Sequence, residues 1–511
     1  MTTECQDRVR QLLLDETTHG GVGPVDERET HISLVFLVGD KAYKMKRAVK
    51  LPYVDFSTPA LRRQACLKEV DLNRKTAPEL YIGIRDITEA PDGHLEFDGA
   101  GPVVDTVVEM HRFPDDALFD SIARKGNLTP RLLSSLADEI AAFHANAPVV
   151  GESGPANLEG VLDINRAGFA TSDVFADGAV AALDRSFREA LAKLADRLEE
   201  RAARGCIRRC HGDLHLRNIC LFRDRPRLFD CIEFNDRIAT VDRLYDLAFL
   251  LMDLWHGGYR AEANFITNRY LDKTGDDEDG FILLPFMMAV RAAVRAHVTA
   301  TQAMEEPDER ERLADLAATY FDLARDLLRD GPAFFIAMGG FSGSGKTSIA
   351  EALAAHVGRP PGARIFESDR VRKGLFRVSA ETRLGSEAYL PEVSRAVYAR
   401  LTENARRVAA DGGTVIADAV FDRIEGRVRI EAAAVEAGLP FCGVWLDTAP
   451  DILRARVRNR KGGPSDATVA VLEDQLKRDI GPLDWRRVDT TRPLAETIRD
   501  LVAFCTGRSE A

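Results

Sequence analysis

Two polar side chains in one short stretch have the types and spacing for phosphoryl transfer. In the segment HGDLHLRN (211–218), Asp213 is followed five residues later by Asn218. A carboxylate can orient or deprotonate an attacking hydroxyl group, and an amide oxygen at this spacing can ligate Mg²⁺. A second metal-binding carboxylate should follow on a short strand, where LFDCIEFND (228–236) supplies Asp230 and, as a further oxygen donor, Glu233. Hard oxygen donors of this kind favour Mg²⁺ over zinc.

This arrangement resembles the aminoglycoside phosphotransferase and choline kinase branch of the kinase-like fold, whose members carry HGDxxxxN. The resemblance implies that Asp213 acts on the acceptor hydroxyl and that Asn218 and Asp230 hold Mg²⁺. It also implies a bilobal, protein-kinase-like α+β domain over residues 1–330. Its lobes would span about 25–113 and about 114–330.

The resemblance also assigns an ATP-binding lysine to the smaller lobe. Lys44, in KAYKMKR, would lie on the third strand and contact the ATP phosphates, with Glu69 on the next helix as its ion-pair partner. Lys46 is an alternative, because strand alternation places Lys44 and Lys46 on the same face. The segment ETHISLVF (29–36) has no glycine, which departs from the Gly-rich loop of protein kinases.

A second phosphate-binding motif lies in the C-terminal part of the chain. GFSGSGKT (340–347) fits the pattern GxxxxGK[ST] between an apolar strand, 333–338, and a helix. Its glycines let successive backbone N–H groups curl around a phosphate. Lys346 would reach the terminal phosphates and Thr347 would ligate Mg²⁺. The predicted ATP-binding residues are Gly340, Phe341, Ser342, Gly343, Ser344, Gly345, Lys346, Thr347 and Ser348.

Acidic and basic residues follow the later strands of this part. Asp418 ends the strand TVIAD (414–418), as a second metal-binding carboxylate would. Asp369 follows another strand, and the resemblance to P-loop kinases stated below implies that it activates an acceptor hydroxyl. Arg372 and Arg427 are predicted to bind the acceptor.

An arginine-rich helix follows a later strand, and the resemblance to P-loop kinases stated below implies that it forms a lid over the triphosphate. Arg456 and Arg460 lie four residues apart in DILRARVRNRK, which places them on one helical face, and both are predicted to be catalytic. The alternative is a solvated helix face that also includes Arg454, Arg458 and Lys461. The loop GGPSDA (462–467) has the composition of a mobile segment.

Together these motifs resemble the small P-loop kinases, which include the kinase domain of polynucleotide kinase, chloramphenicol phosphotransferase, gluconate kinase and zeta toxins. The resemblance implies a P-loop NTPase domain, an α/β doubly wound parallel sheet, over residues 331–511. Arg329-Asp330-Gly331-Pro332 ends a helical region and precedes alternating strands and helices, which supports a boundary near residue 330.

Whole-chain properties limit the function classes. A length of 511 residues predicts more than one domain, and a net charge of −12 argues against a broad basic nucleic-acid surface. The eight cysteines are scattered and predict no disulfide framework, as expected in a reducing compartment. Cys206, Cys210 and His211 suggest zinc, but no second ligand pair follows. No signal peptide or membrane span is predicted, so the sequence indicates a cytoplasmic protein.

The sequence therefore predicts a bifunctional kinase that uses ATP and Mg²⁺. The first domain would phosphorylate a hydroxyl of a sugar or another small polar metabolite. The second would act on a small molecule or, less favoured, a nucleic-acid 5′-hydroxyl. One domain could instead be an ATP-sensing regulatory module. The identity of either acceptor, the choice between ATP and GTP, and the oligomeric state do not follow from the sequence.

Overall fold

The computed structural model describes residues 3–51, 54–275, 277–460 and 462–507, with the side chains of 3–5 and 51 excluded. Lys461, part of the predicted basic helix face, lies outside these residues. Two compact units are present: Met1–Val161 with Leu198–Asp253, and Leu162–Arg197 with Leu254–Ala511. The second unit therefore contains helical segments from before residue 330, 162–197 and 254–328, together with the C-terminal sheet. The domain bounds 1–330 and 331–511 stay a prediction.

The first unit contains an antiparallel six-stranded sheet in the order β1-β2-β3-β8-β6-β7. Gly39, with a φ of 55°, forms the tight turn that joins β2 to β3, which confirms the predicted hairpin. A separate two-stranded ladder joins β4 to β5. The strands are β1 Asp26–Glu29, β2 Ser33–Val38, β3 Lys41–Lys46, β4 Lys50–Leu51, β5 Val54–Asp55, β6 Tyr81–Glu89, β7 Leu95–Phe97 and β8 Val103–His111.

Helices and short ladders follow this sheet along the chain. The strands are β9 Ile207–Arg209, β10 Ile219–Phe222, β11 Arg225–Leu228 and β12 Thr240–Asp242. The helices through residue 256 are α1 Thr3–Leu14, α2 Pro59–Asn73, α3 Phe119–Arg124, α4 Pro130–Asn146, α5 Gly154–Phe169, α6 Asp177–Ala203, α7 Asp236–Ala239 and α8 Arg243–His256. The hairpin β10–β11 lies between the two segments predicted to hold Mg²⁺.

The second unit contains a five-stranded parallel sheet in the order β14-β15-β13-β16-β17. This confirms the predicted parallel sheet of the P-loop class. The strands are β13 Phe335–Gly339, β14 Arg364–Glu367, β15 Val415–Asp418, β16 Phe441–Asp447 and β17 Arg486–Asp489. The helices are α9 Arg260–Thr274, α10 Leu284–Glu305, α11 Arg310–Leu328, α12 Lys346–Ala354, α13 Ser368–Leu375, α14 Pro391–Ala410, α15 Ile424–Glu436, α16 Pro450–Asn459, α17 Val469–Leu476 and α18 Leu494–Thr506.

A disulfide joins Cys442 of β16 to Cys505 of α18, inside the core of the parallel sheet. The prediction of a chain without disulfides is therefore wrong for this pair. The two cysteines lie 63 residues apart in the sequence, and only the packing of α18 against β16 brings them together. The cysteine pattern consequently no longer supports a reducing compartment.

One apolar stretch, Glu278–Glu305, is long and apolar enough to cross a membrane. It comprises a 3₁₀ turn and α10, and 78% of its most apolar window is buried inside the protein. The core helices of soluble proteins can be equally long, apolar and buried. The stretch is therefore weak evidence for a membrane span.

The buried His297 of α10 should make the stability of the second unit depend on pH. Its ring packs edge-on against Phe169 at a centroid distance of 5.6 Å, and its Nε2 has no hydrogen-bond partner. Burial lowers the pKa of His297 to about 4. The unfolded chain, with a histidine pKa of about 6.5, therefore takes up this proton first as the pH falls. The contribution is complete above about pH 6.5 and is lost as the pH falls towards 4.

Replacing His297 with leucine should flatten this dependence. Between pH 7 and pH 5, the free energy of unfolding of the wild-type protein should fall by about 2 kcal/mol more than that of His297→Leu. Denaturant unfolding at both pH values measures this difference. His94→Leu, at an exposed histidine, is the control and should follow the wild-type protein. A parallel loss in all three proteins would contradict the assignment.

Candidate active sites

The first candidate site centres on an ion-paired lysine in the antiparallel sheet. Lys44 of β3 donates to Glu69 Oε1 of α2 at 2.9 Å and also pairs with Asp230. Burial alone would raise the pKa of Glu69, but Lys44 and Lys46 outweigh it and hold this pKa at about 2. Glu69 is therefore charged and can position the lysine. The structure thus brings together the predicted lysine, its glutamate partner and one predicted metal ligand.

Lys46, the alternative lysine, lies on the same face of β3 but deeper. Its side chain is fully buried and pairs with both Glu69 and Glu233, the latter at 2.5 Å. Lys44 retains some exposure and contacts the predicted metal ligand Asp230. This difference favours Lys44 as the residue that contacts ATP. Glu233, considered as an extra metal ligand, is paired with Lys46.

The segment that carries Asp213 is held in place by backbone contacts. His211 is buried and its Nε2 lies 3.0 Å from the carbonyl of Phe229, while its Nδ1 accepts from the backbone N–H of Asp213 at 3.4 Å. Burial lowers the pKa of His211, which favours the neutral ring that these two contacts require. Gly212 has a φ of 86°, and a Cβ there would come within 2.9 Å of Ala239. Glycine is therefore required at this position.

Asn218 completes the predicted set. Its Nδ2 donates at 2.9 Å to both the backbone carbonyl and Oδ2 of Asp213, so the two predicted residues are in direct contact. Asp230 has a left-handed φ of 62°, an uncommon conformation for a residue other than glycine. Strained backbone of this kind concentrates at functional sites. Tyr81 accepts from the backbone N–H of Asp230 at 3.2 Å.

A buried aspartate that was not predicted from the sequence binds the backbone of the segment 211–218. Asp246 of α8 accepts from the backbone N–H groups of His211 and Gly212, at 3.2 and 2.7 Å, and contacts His144 at 3.1 Å. No local pattern marks it, because Asp246 lies in an ordinary apolar helix. Of the three residues that suggested zinc in the sequence, only Cys210 lies in a potential metal-binding group of described residues, which it forms with His144 and Asp246.

The second candidate site is the loop between β13 and α12. Gly340, Gly343 and Gly345 have positive φ values of 143°, 88° and 93°, which residues with a Cβ rarely adopt. Lys346 Nζ donates to the backbone carbonyls of Gly340 and Phe341 at 2.9 and 3.1 Å. The lysine therefore folds back over its own loop. The remaining predicted residues, Ser342, Ser344, Thr347 and Ser348, belong to the same loop and the first turn of α12.

Two carboxylates converge on the threonine of this loop. Thr347 Oγ1 donates to Asp418 Oδ2 at 2.8 Å and lies 3.3 Å from Glu367 Oε1. Burial raises the pKa of Asp418 to about 6, and burial together with Asp418 raises the pKa of Glu367 to about 8. Glu367, at the end of β14, was not predicted. The sequence signal was its position two residues before Asp369, at the carboxyl end of a parallel strand.

Both donor sets suit Mg²⁺. Asp230 and Asn218 offer a carboxylate and an amide in the first unit, and Thr347 with Asp418 offers a hydroxyl and a carboxylate in the second. Such oxygen donors are those that Mg²⁺ prefers beside phosphates. The buried Ser344 Oγ has no hydrogen-bond partner, and a bound phosphate would supply one. The buried carboxylates of Glu367 and Asp418 repel each other, and a bound cation would relieve this repulsion.

The predicted acceptor side contains one open carboxylate and two buried arginines. Asp369, on α13, is partly exposed. The buried guanidinium of Arg372 donates to the carbonyl of Ala388 at 2.6 Å and lies over the ring of Tyr389, while its Nε has no hydrogen-bond partner. Arg427 donates instead to backbone carbonyls of Phe421, Ile480 and Pro482. These contacts favour a scaffolding role for Arg427, and its acceptor-binding role stays a prediction.

Of the two predicted lid arginines, Arg456 contacts the loop, and burial, helped by the charge of Arg460, lowers the pKa of the loop residue Lys346. Arg456 Nη1 lies 3.4 Å from the carbonyls of Gly343 and Ser344. Helix α16 ends at Asn459, and Arg460 follows it in an extended conformation. The prediction that Arg456 and Arg460 share one helical face is therefore wrong, because the helix stops one residue too early. Arg454 pairs with Asp451 and Glu473, as a solvated helix face would.

Models of two protein families match segments that carry residues of the two candidate sites. The model of the phosphotransferase enzyme family matches residues 120–280, which include Asp213, Asn218 and Asp230. The model described as an AAA domain matches residues 335–479, which include the whole P-loop and Asp418. This chain carries a phosphotransferase-family domain and an AAA domain. The protein is an ATP-dependent kinase, as the resemblances predicted.

One relative matches almost the whole chain, and another matches about a quarter of it. An uncharacterized protein of Mycobacterium tuberculosis (strain ATCC 25618 / H37Rv) is 28% identical over 487 residues, covering 93% of this chain and 94% of that protein. An adenylyl-sulfate kinase of Myxococcus xanthus (strain DK1622) is 30% identical over 123 residues, which are 24% of this chain and 62% of that protein.

Solved structures similar to each domain were also found. A choline/ethanolamine kinase family protein from Mesorhizobium loti has a TM-score of 0.39 and 16% identity, covering 63% of this chain and 99% of that one. A gluconokinase from Sinorhizobium meliloti has a TM-score of 0.25 and 23% identity, covering 35% of this chain and 94% of that one.

Proposed function

We propose that both domains are catalytic and that each transfers the γ-phosphoryl group of ATP to an alcohol. The observation that carries this proposal is that each site places a lysine beside oxygen donors for Mg²⁺. In the phosphotransferase-family domain, Lys44 pairs with Glu69 and Asp230. In the AAA domain, Thr347 bonds to Asp418 next to Lys346. A domain that only senses ATP could lose the acid that acts on the acceptor, whereas Asp213 and Asp369 are both present.

For the phosphotransferase-family domain, the proposed acceptor is a hydroxyl of a small polar metabolite, such as a sugar or an aminoglycoside-like compound. Asp213 would accept the hydroxyl proton, and Asn218 would hold its carboxylate in place through the 2.9 Å contact. Mg²⁺, held by Asn218 and Asp230, would neutralise charge on the transferred group. Most of the rate enhancement would then come from positioning and electrostatics.

For the AAA domain, the proposed acceptor is a small molecule with an anionic group beside its hydroxyl. The buried guanidinium of Arg372, with an Nε that has no partner, supports this choice, since such a group can bind an anion. Asp369 would receive the hydroxyl proton, while Lys346 and Arg456 would neutralise the phosphates. The similarity to an adenylyl-sulfate kinase, an enzyme named for an anionic acceptor, is consistent with this class.

Two alternatives remain as hypotheses. One domain could sense ATP and regulate the other without forming a product. The AAA domain could also phosphorylate a nucleic-acid 5′-hydroxyl, although the net charge of −12 disfavours this substrate. Cytoplasmic location and the absence of a membrane partner also stay predictions.

A matched pair of substitutions tests the proposal. Asp230→Asn removes a metal carboxylate from the first site, and Asp418→Asn does the same in the second. The full-length protein and both variants are incubated with γ-labelled ATP, Mg²⁺ and a panel of sugars, aminoglycosides, phosphorylated and sulfated nucleosides, and 5′-hydroxyl oligonucleotides. Two classes of labelled product are expected, one lost only in Asp230→Asn and the other only in Asp418→Asn.

The remaining outcomes separate the alternatives. If the first product changes its dependence on ATP in Asp418→Asn and no second product exists, the AAA domain is a sensor. Labelling of oligonucleotides alone by the second site would select the nucleic-acid alternative. ATP consumption that is identical in all three proteins would contradict catalysis at both sites.

A further inference from the structure

Helix α9 covers one edge of the parallel sheet and hydrogen-bonds to its outer strand. Strand β14 is an outer strand of this sheet, and its outward N–H and C=O groups need partners. Asn268 Oδ1 accepts from the backbone N–H of Ile365 at 2.7 Å, and its Nδ2 donates to the carbonyl of Ala363 at 3.1 Å. Asn264 donates to the carbonyls of Ala363 and Pro361 at 2.9 and 3.0 Å. Both asparagines are buried, so they replace a missing neighbouring strand.

A buried charge cluster extends this contact. Arg364, the first residue of β14, is only 3% exposed and pairs with Asp272 at 2.8 Å and with Glu278 at 2.6 Å. Asp272 also lies 3.2 Å from Arg269 and 3.6 Å from Arg370. One carboxylate of α9 therefore contacts three arginines. Removing one partner from a buried ion pair is far more costly than exposing a surface pair.

The cluster continues to the P-loop. Arg370, on the first turns of α13, donates to Glu367 Oε2 at 3.0 Å. The other oxygen of Glu367 lies 3.3 Å from Thr347 Oγ1, which also donates to Asp418. A continuous series of polar contacts thus joins Asp272 to the hydroxyl of Thr347, in the first turn of α12. Arg370 Nε is the nearest atom to both carboxylates, so its one hydrogen goes to Glu367, and Asp272, at 3.6 Å, acts on the guanidinium as an ion pair.

We propose that Asp272 is a positioning residue of the AAA-domain site. Acting through Arg370, it holds Glu367 beside Thr347, where Glu367 serves as a second carboxylate towards the metal ion of the bound nucleotide. The inference rests on the proposed function of this domain. It implies that α9, which precedes the predicted boundary at residue 330, is a working part of the P-loop site.

Three features favour this role over simple packing. Glu367 ends a parallel strand whose neighbour β15 ends in Asp418, so the two carboxylates are in register at one edge of the sheet. The Glu367 side chain is 6% exposed, which makes a purely solvated role impossible. Arg370 satisfies only one of its oxygens, and the other is directed at the threonine predicted to bind the metal.

The test measures Mn²⁺ binding rather than turnover. The full-length chain carrying Asp230→Asn in the first site is titrated with Mn²⁺ and a non-hydrolysable ATP analogue, and free Mn²⁺ is followed by electron paramagnetic resonance. In this background Glu367→Gln should weaken Mn²⁺ binding by about ten-fold or more, because it removes a ligand. Asp272→Asn should weaken it by about ten-fold, the usual effect of losing an outer contact. Glu262→Gln, on the same helix, is the control and should have no effect.

Non-additivity distinguishes positioning from general damage. The double variant Asp272→Asn with Glu367→Gln should bind Mn²⁺ no more weakly than Glu367→Gln alone. Arg370→Gln should reproduce the effect of Asp272→Asn, and it answers the same question if Asp272→Asn does not fold. Wild-type Mn²⁺ affinity in folded Asp272→Asn or Arg370→Gln would overturn the role of Asp272. Wild-type affinity in Glu367→Gln would overturn the role of Glu367.

Failure of the underlying function gives a different result. If the Asp230→Asn chain binds Mn²⁺ and nucleotide, and Lys346→Met weakens this binding, the AAA-domain site is present and only the roles above are at issue. A chain with no such Lys346-dependent site would contradict nucleotide binding by the AAA domain, and the proposal for Asp272 would fall with it.

Discussion

Asp213→Asn is expected to lower kcat of the phosphotransferase-family domain by about 10²–10⁴-fold, the range over which a general base contributes. The amide has the size of the carboxylate and can keep a contact with Asn218, now 2.9 Å from Asp213 Oδ2. It cannot accept the hydroxyl proton. Because Lys44 and Asp230 are untouched, KM for ATP should change little. Steady-state transfer of label to the acceptor found with the panel measures both constants.

A matched control for this prediction lies in the neighbouring hairpin. Asp224 is an exposed aspartate between β10 and β11 with a left-handed φ of 59°, a conformation that asparagine also tolerates. Asp224→Asn should therefore keep wild-type activity. Transfer by Asp213→Asn within ten-fold of the wild-type rate would show that the carboxylate is not the base. The product of the AAA domain should be unaffected by either change.

Lys346→Met should lower phosphoryl transfer by the AAA domain by about 10²–10³-fold, the usual cost of removing one group that stabilises charge in the transition state. Lys346 Nζ now rests on the carbonyls of Gly340 and Phe341, where phosphate oxygens would compete for it. Burial lowers the pKa of Lys346, so a bound anion would also help to keep it charged. Nucleotide affinity should fall with the rate.

Lys477→Met is the control for this substitution. Lys477 is 76% exposed and pairs with Asp474 at 3.6 Å, so its loss should change neither product. The measurement is label transfer to the acceptor of the AAA domain together with nucleotide binding. Undiminished second product in Lys346→Met would contradict catalysis by the P-loop. Loss of both products would indicate damage beyond this site.

Much of the local structure was predictable because its signals are contiguous in sequence. The hairpin at Gly39, the end of α11 at Leu328 and the strand before the P-loop are set by short-range periodicity and by glycine or proline. The two phosphate-site motifs are likewise continuous segments, 211–218 and 340–347, which hold their functional groups at fixed spacing along the chain. Their family membership could therefore be inferred from these residues.

The rest depended on contacts between distant residues of common types. Strand alternation placed Lys44 and Lys46 on one face, but only burial shows which is deeper. The chain has 69 lysines and arginines, so no local pattern distinguishes the scaffold residue Arg427 from a ligand-binding arginine. The sequence also did not reveal that α16 ends before Arg460, because a helix end depends on tertiary contacts as well as on propensity.

By itself, then, the sequence determined which chemistry is present: a carboxylate and an amide in one segment, and a lysine and a threonine on a glycine-rich loop in another. Spacing along the backbone is sufficient for this, because neighbouring residues are held at known distances. Only the tertiary structure decided which residues support these groups. The contacts of Asp246 with the segment 211–218, the Cys442–Cys505 bond and the hydrogen bonds of α9 to β14 all join residues far apart in the chain. Such pairings arise when the apolar core closes, and burial then makes each polar partner necessary.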